Sequence, residues 1–217
     1  DSDGVYGIPP GAIQAFNLRL PMSVTNVDDL KINILNIQRV LIDPVELEIV
    51  TPQLVTDENG MVTLVGEVQN NTSAPALIYS ARAGLFSAEG VLITTAPCQI
   101  CPGYLKPGDK APIQFLTYGH PADPQIGDHE IYLSAEEVAS VDGLAIDFGE
   151  PVHTYVDTAG GFHLLGDLQN NSDKILALEL TGSFYDQNGV IVGAARYKLP
   201  AYSLPGETFP YELQIAD

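Results

Sequence analysis

Tryptophan is missing from this chain, and basic residues are scarce. Nine Lys and Arg stand against 28 Asp and Glu, a formal net charge of −19. An acidic surface repels phosphate backbones and anionic membranes, so no nucleic-acid partner is expected. Divalent cations and basic partners stay open, beside the plainer role of acidity in solubility. The lack of Trp weakens a lectin reading, because sugar sites expose aromatic platforms. No apolar run reaches the ~18 residues of a membrane span, so no transmembrane segment is expected. No G-x-S-x-G, G-x-G-x-x-G or Walker loop occurs, and no enzymatic activity is expected. The sequence starts Asp1-Ser2-Asp3 rather than with Met, which fits an export leader already removed.

What is present is a repeat. Gly66-Glu67-Val68-Gln69-Asn70-Asn71 returns as Gly166-Asp167-Leu168-Gln169-Asn170-Asn171, and the likeness extends in both directions. Residues 42–52 face 141–151, and 31–35 face 130–134. Forward of the hexapeptides, 85–93 face 184–192, and 104–115 face 202–213. The offset drifts from 100 to 98 only, which needs single-residue gaps. Such a match predicts two tandem copies of one fold rather than a solenoid.

Each matched segment has the alternation of a half-buried antiparallel strand. Leu77, Tyr79, Ala81, Ala83 and Leu85 form one row, echoed by Leu176, Leu178, Leu180, Gly182 and Phe184. Val45, Leu47 and Ile49 are echoed by Leu144, Ile146 and Phe148. Asn-, Gly- and Pro-rich turns separate the strands every 8–12 residues. The expected fold is all-β: two antiparallel Ig-like β-sandwich domains, at 30–118 and 129–217, joined by a linker at 119–128. Residues 134–140 are the one stretch with room for a short helical turn.

Residues 1–29 have no echo. Within them Phe16, Leu18, Leu20, Met22 and Val24 alternate with polar residues and Pro21. This extension strand either packs at the edge of its own domain or is donated to a neighbouring subunit, which would build an oligomer or filament. Pro21 suits an edge.

Residues with chemistry are few. Cys98 and Cys101 form a Pro-flanked pair for which a local disulfide, a redox role and metal binding compete; the disulfide is the expectation. Asn70, Asn71 and Asn170 head sequons and are candidate glycosylation acceptors, although turn chemistry alone calls for Asn there and is the expected reading. No organic cofactor is implied. Loop carboxylates such as Asp57 and Asp157 leave calcium open, without a D-x-D-x-D-G run. His153 and His163, in or beside strands, read as packing or surface residues.

The second copy resembles the FxLYD-type domains of prokaryotic surface and secreted proteins. The residues that carry the likeness are Gly166, Asn170-Asn171-Ser172, Phe184-Tyr185-Asp186, Gly189 and Leu204-Pro205-Gly206-Glu207. In the first copy Leu85-Phe86-Ser87 replaces Phe-Tyr-Asp. The resemblance covers about half the chain. It implies an extracytoplasmic β-sandwich module and no activity of its own. The expected class is therefore a secreted or surface structural protein, with an accessory binding module as the alternative.

Overall fold

The computed structural model describes residues 44–57, 60–116, 126–140, 145–149 and 153–215. The protein is all-β: among the described residues there are thirteen strands and no helix. In chain order they are β1 (Glu48–Thr56), β2 (Val62–Gln69), β3 (Ala76–Ser87), β4 (Leu92–Ile100), β5 (Tyr104–Leu105), β6 (Lys110–Leu116), β7 (Ile126–Glu137), β8 (Ile146–Phe148), β9 (His153–Val156), β10 (Phe162–Asn170), β11 (Glu179–Tyr185), β12 (Ile191–Lys198) and β13 (Thr208–Ile215). Every pairing is antiparallel.

The strands form four stacked layers. In the first, β3 lies between β4 and β7, with β5 at one end. In the second, β2 lies between β1 and β6. The end of β4 joins β6, which stitches the two layers together. Their shared core holds Leu64, Val68, Ala83, Leu85, Ile113 and Phe115, all fully buried. The third layer is the β11–β12 hairpin, and the fourth is β10 flanked by β13 on one edge and β8 and β9 on the other. Leu168, Ala195, Leu199, Tyr211 and Leu213 fill the core between these two.

The two halves share their ladder registers. In β2–β6, Leu64 faces Phe115 and Gly66 faces Ile113; in β10–β13, Leu164 faces Leu213 and Gly166 faces Tyr211. In β3–β4, Arg82 faces Pro97 and Ala83 faces Ala96; in β11–β12, Thr181 faces Arg196 and Gly182 faces Ala195. Both hairpins carry a register shift at their final pair, Phe86↔Leu92 and Tyr185↔Ile191.

Three local features depart from the simple alternation. A bulge between Ile78 and Ser80 switches faces within β3, so the buried residues are Ala76 and Ile78 and then Ala83 and Leu85. The Leu77–Tyr79 half of the expected row therefore points away from the core. Residues 134–137 belong to β7, and the helical turn that this stretch allowed is replaced by ladder pairing to β3. β7 starts at Ile126, inside the stretch read as linker, and lies against β3 along its whole length. Residues 1–43, with the row from Phe16 to Val24, lie outside the described residues.

Candidate functional site

The repeated hexapeptide ends each central strand in the same device. Asn70 is fully buried, and its Nδ2 donates to the carbonyls of Ala74 (2.9 Å) and Leu105 (3.0 Å). Its Oδ1 accepts from the Thr72 amide at 3.0 Å and the Thr72 hydroxyl at 2.7 Å. Asn170, equally buried, donates to Lys174 O (2.9 Å) and Ser203 O (3.1 Å), and accepts from the Ser172 amide at 3.0 Å. The backbone closes the same loop twice: Gly108 N donates to Asn70 O, and Gly206 N to Asn170 O, each at 2.7 Å. Both glycines need left-handed backbone angles, φ 83° and 81°, which cost a residue with a Cβ. The Nδ2 hydrogens of Asn70 and Asn170 are thus committed inside the fold. Asn71, by contrast, is exposed and its side chain reaches Glu48; Asn171 reaches Asp147 in the same way, at 2.6 Å.

The Phe184-Tyr185-Asp186 signature also has a structural reading. Asp186 Oδ1 accepts from the amides of Asn188 (2.9 Å) and Val190 (2.8 Å), which closes the β11–β12 turn. Ser87 does the same for Glu89 and Val91 in the first half, at 3.2 and 3.4 Å. A Ser hydroxyl replaces an Asp carboxylate without loss of the turn, because both offer an acceptor to amides two and four residues on. Asp57 and Asp157 close the preceding hairpin of each half in the same manner, with Asp57 accepting from Met61 N at 2.7 Å and Asp157 from Gly161 N at 2.9 Å. Among the described residues no group of three or more His, Cys, Asp or Glu could hold a metal ion. Cys98 and Cys101 are bonded to each other, with Cα atoms 5.9 Å apart, inside the usual range for a disulfide.

Two polar clusters were not singled out by sequence reasoning. The first lies between the second and third layers. Glu67, on the outer face of β2, is only 3% exposed. Its carboxylate meets Lys110 Nζ at 2.7 Å, the Ser183 hydroxyl at 3.0 Å and the Tyr185 hydroxyl. Burial pushes the Glu67 carboxyl up, but the bonds from Lys110, Tyr185 and Ser183 outweigh it and hold the group below its ordinary value. The Glu67 bond in turn raises the Lys110 ammonium. Beside this cluster, Val65, Ile100, Ile191 and Ala194 form an apolar seam, and Ala194 N donates to Gln114 Oε1 at 3.1 Å. An open cleft of about 770 Å³ adjoins the seam; Gln99, Gln114, Phe162, Arg196 and Gln214 are among its walls.

The second cluster surrounds His163, which sits on β10 and is 7% exposed. Its ring lies between two carboxylates, Glu212 Oε1 at 2.6 Å from Nδ1 and Asp157 Oδ2 at 3.0 Å from Nε2. Tyr155 stacks on it with ring centroids 4.3 Å apart. The bonds to Asp157 and then Glu212 raise the imidazole above its ordinary value, because both favour the cation. Both ring nitrogens are engaged by carboxylates rather than by a hydroxyl or thiol nucleophile, so His163 reads as a clamp between β9, β10 and β13. His153 is exposed.

No family model, curated protein or solved structure matches the chain.

Proposed function

We propose that this chain is a non-enzymatic structural protein of the cell surface or extracellular space, a subunit of a filament or envelope layer assembled through its N-terminal segment. We also infer that its two halves arose by internal duplication, which the shared registers support. The observation that carries the assembly reading is the position of β7. This strand belongs by sequence to the start of the second copy, yet it completes the sheet of the first. On this reading one unit is joined to the next by strand addition, a mode that combines main-chain hydrogen bonds with side-chain pockets. Repeated between molecules, an arrangement of this kind does not close and propagates. The disulfide favours an oxidising compartment, and the polar clusters serve turns and layer contacts rather than a reacting centre. The test is removal of residues 1–43. Sedimentation should then report monomers where the full chain sediments as assemblies; unchanged sedimentation would contradict the proposal. A second reading, an accessory binding module, rests on the cleft beside the second and third layers. Arg196 and three Gln side chains there would suit a polar or acidic partner.

A further inference from the structure

We propose that residues 27–38 of a second copy of the chain form the strand missing from the free edge of β11, in the register that β7 holds against β3. The proposal rests on the self-association reading above and names its acceptor.

Among the described residues, β11 is built like β3 but has one neighbour fewer. β3 pairs with β4 on one edge and with β7 on the other, from Ala76↔Glu137 to Ser87↔Ile126. Among the described residues, β11 pairs with β12 alone. The missing neighbour shows in the exposure of equivalent residues. Ala76, Ala83 and Leu85, on a strand flanked by β7, are fully buried. Their counterparts 99 residues on are Ile175, which is 63% exposed, and Gly182 and Phe184, which are half-buried. An unpaired strand with an apolar flank is a template for another chain.

The sequence contains a second segment written like β7. Val27-Asp28-Asp29-Leu30-Lys31-Ile32-Asn33-Ile34-Leu35 stands 99 residues before Ile126-Gly127-Asp128-His129-Glu130-Ile131-Tyr132-Leu133-Ser134. Ile126, Ile131 and Leu133 turn toward the first core; Val27, Ile32 and Ile34 hold the same places. Carrying the β3–β7 ladder across by 99 sets Ile34 opposite Leu180, Asn33 opposite Thr181, Ile32 opposite Gly182 and Leu30 opposite Phe184. Asn36, which stands where β7 has the buried Ala135, falls opposite Ala177, beyond the end of β11.

The path of the chain points to a second copy. Pro44 bridges to Glu136, and Val45 N donates to Ala135 O at 3.1 Å. Pro44, where the described chain begins, therefore lies beside β7 at the outer edge of the first layer. β11 lies in the third layer. Residues 39–43 span at most about 20 Å fully extended. Two sheet spacings alone take about 20 Å, with the edge of the second layer still to be rounded. A second molecule meets no such limit, and it would repeat the relation that β7 already has to β3.

Single-cysteine variants of the full chain test this. Asn33→Cys mixed with Thr181→Cys should give a disulfide-linked dimer under mild oxidation, and the double variant a ladder on a non-reducing gel. The shifted pair Asn33→Cys with Glu179→Cys should cross-link about tenfold more slowly, since disulfide geometry tolerates little displacement. Absence of the mixed dimer, equal cross-linking by the shifted pair, or a double variant bridged only within one chain would each overturn the proposal. Independently of cysteine folding, Ile34→Asp should abolish assembly without moving the unfolding midpoint; assembly that survives it would also overturn the proposal. Assemblies that form without the Asn33–Thr181 link defeat this register and leave the self-association reading standing. A native chain with neither assembly nor link defeats both.

Discussion

Tyr185, on β11, donates its hydroxyl proton to Glu67, on β2, across the boundary between the second and third layers. The same carboxylate holds Lys110 and Ser183. A buried charge left without its partner is costly, whereas the pair itself contributes little net stability. Lys110→Met should therefore destabilise the fold by on the order of 2 kcal/mol, discounted because Lys110 is partly exposed. Adding Glu67→Gln should recover part of that loss. Urea unfolding of the three variants checks it; additive effects would refute the coupling. The folded carboxyl titrates below the unfolded one, so its contribution is complete above the ordinary carboxylate value and fades as pH falls through the folded value.

Asn70→Ala and Asn170→Ala should each cost about 2–4 kcal/mol, because each strands buried carbonyls and the donors of Thr72 or Ser172. Asn→Asp at the same positions keeps the acceptor and loses both donors, so it should not rescue. Exposed Asn71→Ala, in contrast, should fall within about 0.5 kcal/mol of the parent. Equal losses at Asn70 and Asn71 in denaturant titrations would contradict the capping account.

Denaturing the unreduced protein should reveal no free thiol, because Cys98 and Cys101 are bonded. Reduction should lower stability by about 2 kcal/mol, the chain-entropy value for so short a loop. A thiol titration on non-reducing material finding two free groups would refute this.

His163 is held between Asp157 and Glu212, and its folded value lies above the unfolded one. Its stabilising contribution is therefore fully present below the unfolded value of about 6.5 and is lost as pH rises through the folded value. NMR titration should place the His163 imidazole above the ordinary histidine value of about 6.5. His163→Gln should flatten the pH dependence of unfolding on the alkaline side. An ordinary or lowered His163 value would contradict the clamp.

Much of the fold is legible in the sequence, because period-2 alternation and turn residues act locally. The ladder around Leu64, Gly66 and Val68 follows from alternation alone. The bulge at Tyr79 breaks it, since a single inserted residue exchanges the faces of a strand. The Pro- and Gly-rich stretch before Asp128 reads as a break, yet β7 begins at Ile126 because its pairing with β3 outweighs local composition. The Glu67 cluster is hidden because Glu67 alternates onto the polar face of β2. Its signal is Val65, an apolar residue on that face, which marks a layer beyond. The His163 clamp draws on β10, β13 and the turn at Asp157, and no local pattern reports such a meeting.

The central claim is that this chain assembles by strand addition. Negative-stain electron microscopy of the purified native protein at high concentration tests it most directly. Linear filaments with a regular axial repeat are predicted, and they should be absent after deletion of residues 1–43. A field of discrete single particles at every concentration, with sedimentation of a monomer, would contradict it.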